Sequence, residues 1–259
     1  MGEVYLAQDT KLDRQVALKL LPSEIAQDPQ RRQRFLSEAK AASALNHPNV
    51  CVIHEVGETE DRRPYLVMEY LEGQTLEARL RQGPVDLAEV VEIGQQVAEA
   101  LEAAHAKGIV HRDIKPANIH LNERRRVMVL DFGLAKRLAG EQPADLDAPT
   151  QLQTEAGQVL GTPSYMSPEQ ALGRAVDHRT DIFSLGVVVY ELATGRRPFV
   201  GANFGETVER ITHAQPEPMA RFRSQTTPEL ERIVRKCLEK EPGQRYQSAQ
   251  EVSIDLGHL

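Results

Sequence analysis

Residues 111–118 read His111-Arg112-Asp113-Ile114-Lys115-Pro116-Ala117-Asn118, and Asp131-Phe132-Gly133 begins thirteen positions after Asn118 (131 − 118). Nine specified letters at about one in twenty each, over roughly 250 start points, put coincidence on the order of one in a billion. Any one of these carboxylates or amides alone reads as a surface salt bridge or a helix cap. Together, at this spacing, they read as one chemical set.

The rest of the chain is organised around that block. There are 259 residues, 31 Lys+Arg against 38 Asp+Glu, a net charge of −7, 41% hydrophobic residues, two Cys and no Trp. This is length for a sizeable core. The acidic balance, with a pI near 5.7, argues against a surface built to coat nucleic acid or anionic lipid. Cys51 and Cys237 have neither CxxC nor Cys/His spacing, so buried reduced thiols are expected rather than a disulfide framework or a zinc module. The longest apolar stretch, Ile182–Tyr190 around Gly186, falls well short of the ~20 residues that span a membrane. A soluble, cytoplasmic chain without a signal peptide is the expectation.

Before the block, short alternating runs at 4–7, 16–20, 50–56 and 65–68 predict strands, and Phe35, Ala39, Ala42 and Leu45 predict a helix within 30–46. After Gly73 the period turns helical. Val90, Ile93, Gly94, Val97, Leu101 and Ala104 form one face; Thr227-Pro228-Glu229 opens a helix with Leu230, Ile233, Val234, Cys237 and Leu238 inward; Ser248–Glu251 reads as a capping box. The stretch 181–193, apolar nearly all round, predicts a helix buried in the middle of the C-terminal part. Residues 139–157 lack periodicity and read as a loop.

The block at 111–133 resembles the catalytic loop and metal-binding triplet of protein kinases, in the form with a lysine two after the aspartate that marks serine/threonine kinases. Stretches such as 2–7 and 167–171 are most similar to the eukaryotic-like serine/threonine kinases of bacteria, and the resemblance runs along essentially the whole chain. It implies an α+β, two-lobed protein-kinase fold over 1–259. A small antiparallel sheet with one helix would occupy 1–70 and a larger, mainly helical lobe 71–259. The implied reaction is transfer of phosphate from ATP to serine or threonine hydroxyls of protein substrates, with Mg2+ as cofactor.

Residue by residue, the resemblance makes Asp113 the base and Lys115 the γ-phosphate holder, with Asn118 and Asp131 as magnesium ligands. Val16-Ala17-Leu18-Lys19 resembles the strand carrying the phosphate-binding lysine, and Glu38, nineteen positions on (38 − 19), is placed to pair with Lys19. The stretch 66–71 resembles the hinge. Backbone groups of Glu69 and Leu71 would meet the adenine edge, with Met68 behind it, Val4 over it, Ala17 also lining the ATP site, and Gly2 in the phosphate lid. Residues 161–169 look like the end of the activation segment, where Thr162 would bond Asp113 and Lys115, Glu169 would pair with Arg245, and Asp181 would brace the catalytic loop. Arg112 and Lys136 would receive a phosphate on Thr154 or, second, Thr150.

Several departures temper this. The family's Gly-x-Gly-x-x-Gly-x-Val is entered at its last glycine, Gly2, so the first strand and two glycines are absent. An internal start in a longer protein and a real truncation are both open; intact later positions favour the first. His120 stands where an aliphatic floor under the adenine is usual, and its nitrogens would need partners. Ala117 and Thr75 replace the acids found in kinases that prefer basic peptides, and Arg124-Arg125-Arg126 reads as a solvated hairpin turn. A catalytically weak binding scaffold is the competing reading. A P-loop nucleotidase is excluded by the lack of GxxxxGK[ST].

Overall fold

The computed structural model describes residues 3–21, 28–83, 85–132 and 163–259. Two hairpins build the first sheet, in the order β1-β2-β4-β3, all antiparallel: β1 (Glu3–Asp9), β2 (Arg14–Leu20), β3 (Ile53–Glu58) and β4 (Pro64–Glu69). Asp9 ties the first turn by accepting the N–H groups of Lys11 and Leu12. Directly opposed residues share a face, so the pairings Val4↔Lys19, Leu6↔Ala17, Ala17↔Met68 and Lys19↔Leu66 line up one surface of the sheet. Helix α1 (Pro29–Ser43) starts at Asp28, whose carboxylate accepts from Gln30 and Arg31 N–H, with Pro29 at the first helical position. Its Phe35 and Ala39 pack with Leu21, Cys51, Leu66 and Met68 into a small apolar cluster.

The strand expected over 50–56 begins only at Ile53. Val50 instead bridges Val129 in parallel, and the N–H groups of Cys51 and Val129 bond Val129 and Asn49 carbonyls at 3.0 and 2.8 Å. The apolar run changes sheets partway along, which alternation alone does not show. This crossing stitches the first sheet to a second one, β5 (Gln74–Thr75), β6 (Ile119–Leu121) and β7 (Val127–Val129).

The remaining helices are α2 (Leu76–Arg81), α3 (Leu87–His105), α4 (Pro168–Ala171), α5 (Arg179–Thr194), α6 (Phe204–His213), α7 (Pro228–Cys237) and α8 (Ala249–Gly257). The α3 face read from sequence is buried as expected. In α5 every residue from Thr180 to Tyr190 is buried, and a Cβ on Gly186 would come within 2.6 Å of Cys237 Cβ. That glycine lets α7 approach the central helix. At α8, Ser248 accepts from Glu251 N–H, but the Glu251 carboxylate takes the Gln247 N–H, so only half of the box forms. Ser167 and Gln170 make the reciprocal box, at α4. No helix among the described residues is long and apolar enough to cross a membrane.

Arg245, 2% exposed, locks this assembly. Its two Nη atoms donate to the two carboxylate oxygens of Glu169 at 2.7 Å each, and its other donors reach the carbonyls of Glu239, Arg179 and Lys240. All five guanidinium donors are thus satisfied. Beside it, Lys240 lies 3.7 Å over the Phe199 ring and donates to Ile211 O. Burial, with Arg245 adding repulsion, pushes its ammonium down to about 8.

Two expectations follow. Arg245→Ala strands a buried Glu169 and is expected to cost about 3–5 kcal/mol in denaturant unfolding; a loss below about 1 kcal/mol, the scale of a surface pair, would refute the lock. Because the Lys240 cation is disfavoured in the folded state, its cost is complete below pH 8 and fades as pH rises toward the ordinary lysine range. The stability of Lys240→Met relative to the parent, measured by unfolding at each pH, is therefore expected to be highest below pH 8 and to decline above it.

Candidate active site

The catalytic-loop candidates hang from one carboxylate. Asp181, in the first turn of α5 and fully buried, accepts from His111 N at 2.8 Å, Arg112 N at 2.7 Å and His105 Nε2 at 2.8 Å. These bonds hold Arg112 at φ +64, a left-handed conformation that non-glycine residues seldom adopt. The Arg112 carbonyl is taken by Gln170 Nε2 from α4. His111 donates from Nε2 to Leu130 O at 2.8 Å, which leaves Nδ1 to accept Asp113 N–H at 3.2 Å, and its ring meets Phe132 edge-on at 4.8 Å.

The loop then presents its polar groups together. Asp113 Oδ2 accepts from Lys115 Nζ at 2.7 Å and Asn118 Nδ2 at 3.0 Å, while Asn118 Nδ2 also holds Asp113 O. A 3-10 turn over Pro116–Asn118 feeds β6, and Leu130 N–H bonds Asn118 O at 2.9 Å, so the β6–β7 pairing sets Asp131 beside Asn118. Asp131 also adopts a positive φ, +59, and its Oδ2 accepts from Lys19 Nζ at 2.6 Å. Side-chain exposures of 20–22% for Asp113, Lys115, Lys19 and Asp131 leave these charges within reach of solvent.

The expected Lys19–Glu38 pair is not formed; among the described residues the carboxylate on Lys19 is that of Asp131. The physical reason is the turn at Asp131, which aims its carboxylate at β2 and gives the ammonium a short charge-assisted bond. Val4, Ala17 and Met68 share the sheet face of Lys19. In the hinge candidate, Glu69 N–H is spent on Val52 O, whereas the N–H and C=O of Leu71 make no hydrogen bond among the described residues.

His120 is 9% exposed, its Nδ1 has no hydrogen-bond partner, and burial lowers its pKa. Its Cε1 would lie 3.1 Å from a Cβ on Gly73, whose own backbone has φ +120 and approaches Leu121 O too closely for any side chain. Beyond the loop, Tyr165 donates to Glu191 at 2.6 Å and Ser167 bonds Thr180, fixing Pro163–Ala171 to α5. Gly2, Lys136, Thr150, Thr154 and Thr162 lie outside the described residues.

Sequence reading did not single out His105 or Gln170, while the buried reduced thiol expected at Cys51 is found. A histidine ending a long helix just before the block was the available signal for the first. Cys51, in the apolar cluster with Met68 and Leu130, has its thiol pushed up to about 12 by burial, with Glu69 and Asp131 adding to it.

A model of the protein kinase domain family matches residues 1–255. The chain belongs to the protein kinase domain family. Among curated proteins it is 42% identical over 260 residues to serine/threonine-protein kinase PknB of Mycolicibacterium smegmatis, covering 99% of this chain and 40% of that protein. It is 43% identical to the probable serine/threonine-protein kinase SCO3848 of Streptomyces coelicolor (99% and 37%), and 41% identical to pkn3 of Myxococcus xanthus (99% and 47%). The chain thus spans under half the length of these relatives. The crystal structure of the Mycobacterium tuberculosis PknI kinase domain superposes with a TM-score of 0.77 at 28% identity, covering all of this chain and 91% of that one. The expected two-lobed kinase fold is borne out.

The raised thiols give a direct check on the packing around this site. Both cysteines, Cys51 and Cys237, are pushed up to about 12 by burial, so a disulfide reagent at pH 8 is expected to label neither in the folded protein and both in denaturant. Rapid labelling of Cys51 in the folded state would contradict the packed arrangement around Met68.

Proposed function

We propose that the chain transfers the γ-phosphoryl group of ATP to serine and threonine hydroxyls of proteins. The observation that carries this reading is the convergence of Asp113, Lys115 and Asn118 on one loop with Asp131 and Lys19 beside them. Phosphoryl transfer needs positioning and charge neutralisation more than covalent chemistry, and this set supplies both signs of charge in a solvent-reachable place.

Asp113 orients the acceptor hydroxyl and takes its proton. Lys115 balances charge on the transferred group. Lys19 leaves Asp131 for the nucleotide phosphates, and Leu71 offers its free backbone donor and acceptor to the adenine edge. For the metal, the donors fit: Asn118 spends its amide N–H2 on Asp113 and keeps Oδ1, while Asp131 keeps Oδ1 beyond its bond to Lys19. These are hard oxygen donors, the kind that would hold Mg2+. Bound there, Mg2+ supplies Lewis-acid neutralisation of phosphate charge.

With Asp113→Asn, phosphate transfer to a protein substrate is expected to fall about 10²–10⁴-fold, while the thermal shift produced by Mg-ATP persists. Nucleotide binding without transfer by the parent protein would support the scaffold reading instead.

A further inference from the structure

The turn joining β6 to β7 carries Arg124, Arg125 and Arg126 side by side, all exposed. Elsewhere the arginines of this acidic chain are commonly neutralised. Arg81, Arg210, Arg232 and Arg235 each sit on a carboxylate of their own helix at 2.6–3.1 Å. None of the three turn arginines has an ion pair among the described residues, and the neighbouring Glu123 offsets only one of three charges.

The turn is also stiff, and its stiffness does not come from the arginine charges. Asn122 accepts the N–H groups of Arg124 and Arg126 at 3.0 and 2.9 Å, and Asn122 and Arg126 close the hairpin by backbone. From below, Gln96 on α3 donates to Arg125 O and accepts from Val127 N–H and from buried Asn49. Only Arg126 uses its guanidinium locally, bonding Pro48 O. Arg125 stands at φ +58, where Asn or Gly is easier to place. The fold therefore explains the backbone and leaves two adjacent cations with no structural task, at a cost in mutual repulsion.

We propose that Arg124, Arg125 and Arg126 form a docking site for an acidic peptide segment of protein partners, chiefly substrates that present the segment away from their phosphoacceptor. The substrate part rests on the kinase reading above. Charge complementarity selects this occupant: a turn of three arginines without ion pairs among the described residues, on a chain of net charge −7, attracts a short acidic segment and lets the surrounding acidic surface repel other approaches. An extended polynucleotide would meet that same acidic surface, and the turn has no aromatic side chain for base stacking. β6 is three residues long, about 10 Å at strand rise, so the turn stands one short strand from Asn118.

The test separates docking from catalysis. Fluorescence anisotropy would follow a labelled, Asp/Glu-rich twelve-residue peptide without Ser or Thr, binding to the parent and to Arg124→Gln/Arg125→Asn. This pair removes charge while suiting the turn's backbone, and unchanged thermal stability would confirm folding. Losing two exposed charge contacts is expected to weaken binding about tenfold, with parent affinity falling as salt rises. For phosphorylation, KM for a substrate carrying the acidic segment is expected to rise by a similar factor, with kcat unchanged and no effect on a substrate lacking it. Equal binding by parent and variant, or no salt-sensitive binding, overturns the proposal, as does tighter binding of a single-stranded oligonucleotide of equal charge. Peptide binding without any phosphate transfer would leave the docking site standing and refute the kinase reading alone.

Discussion

A single buried carboxylate sets the geometry on which the site depends. Asp181 has no solvent contact, and an ionised carboxylate in such a place is tolerable only when donors surround it. Two of its three donors are consecutive backbone N–H groups, from His111 and Arg112. Satisfying both at once requires the left-handed turn at Arg112, and that turn fixes where Asp113 points. The strain of φ +64 is held because releasing it would orphan a buried charge. Asp181 itself cannot drift, since it sits in the first turn of α5, which is buried along nearly its whole length and approached through Gly186 by α7.

The second anchor works on the same logic from the opposite side. Arg245 spends every donor it has, and its partner Glu169 begins α4, whose Gln170 holds the Arg112 carbonyl. The loop carrying Asp113 is thus gripped through its N–H groups by α5 and through a carbonyl by α4. Both grips trace back to buried charges with complete sets of partners, the arrangement in which removing one partner costs most.

Much of this was legible where the signal is local. The α3 face, the Thr227 cap and the all-round burial of α5 follow from spacing within one element, and the motif at 111–133 is dense enough to name the family. Misreadings arose where a residue's partner lies far off in sequence. The run from Val50 to Val56 was read as one strand but is divided between two sheets, and no periodicity encodes that exchange. Lys19 was matched to Glu38 by order along the chain, whereas the choice between two carboxylates is made by the backbone turn at Asp131. At Ser248 the pattern for a capping box was present, yet Glu251 found the N–H one residue earlier. His105 and Gln170 act through Asp181 and Arg112, so their roles appear only once those neighbours are placed.

Burial also sorts the charged contacts by how firmly they are held. The ion pair of Arg245 with Glu169 is almost wholly out of water, and so is Asp181 with its donors. Such contacts cost several kcal/mol to break. The bond of Lys19 to Asp131 and that of Lys115 to Asp113 keep a fifth of each side chain exposed. Solvent reaches these pairs, so separating them costs less than breaking the fully buried ones. In the reaction proposed for this site, Lys19 and Lys115 would each exchange a carboxylate for a phosphate, which the more exposed kind of contact suits. The scaffold that cannot yield and the ion pairs that can are separated by only a few residues, and the boundary between them is the left-handed turn at Arg112.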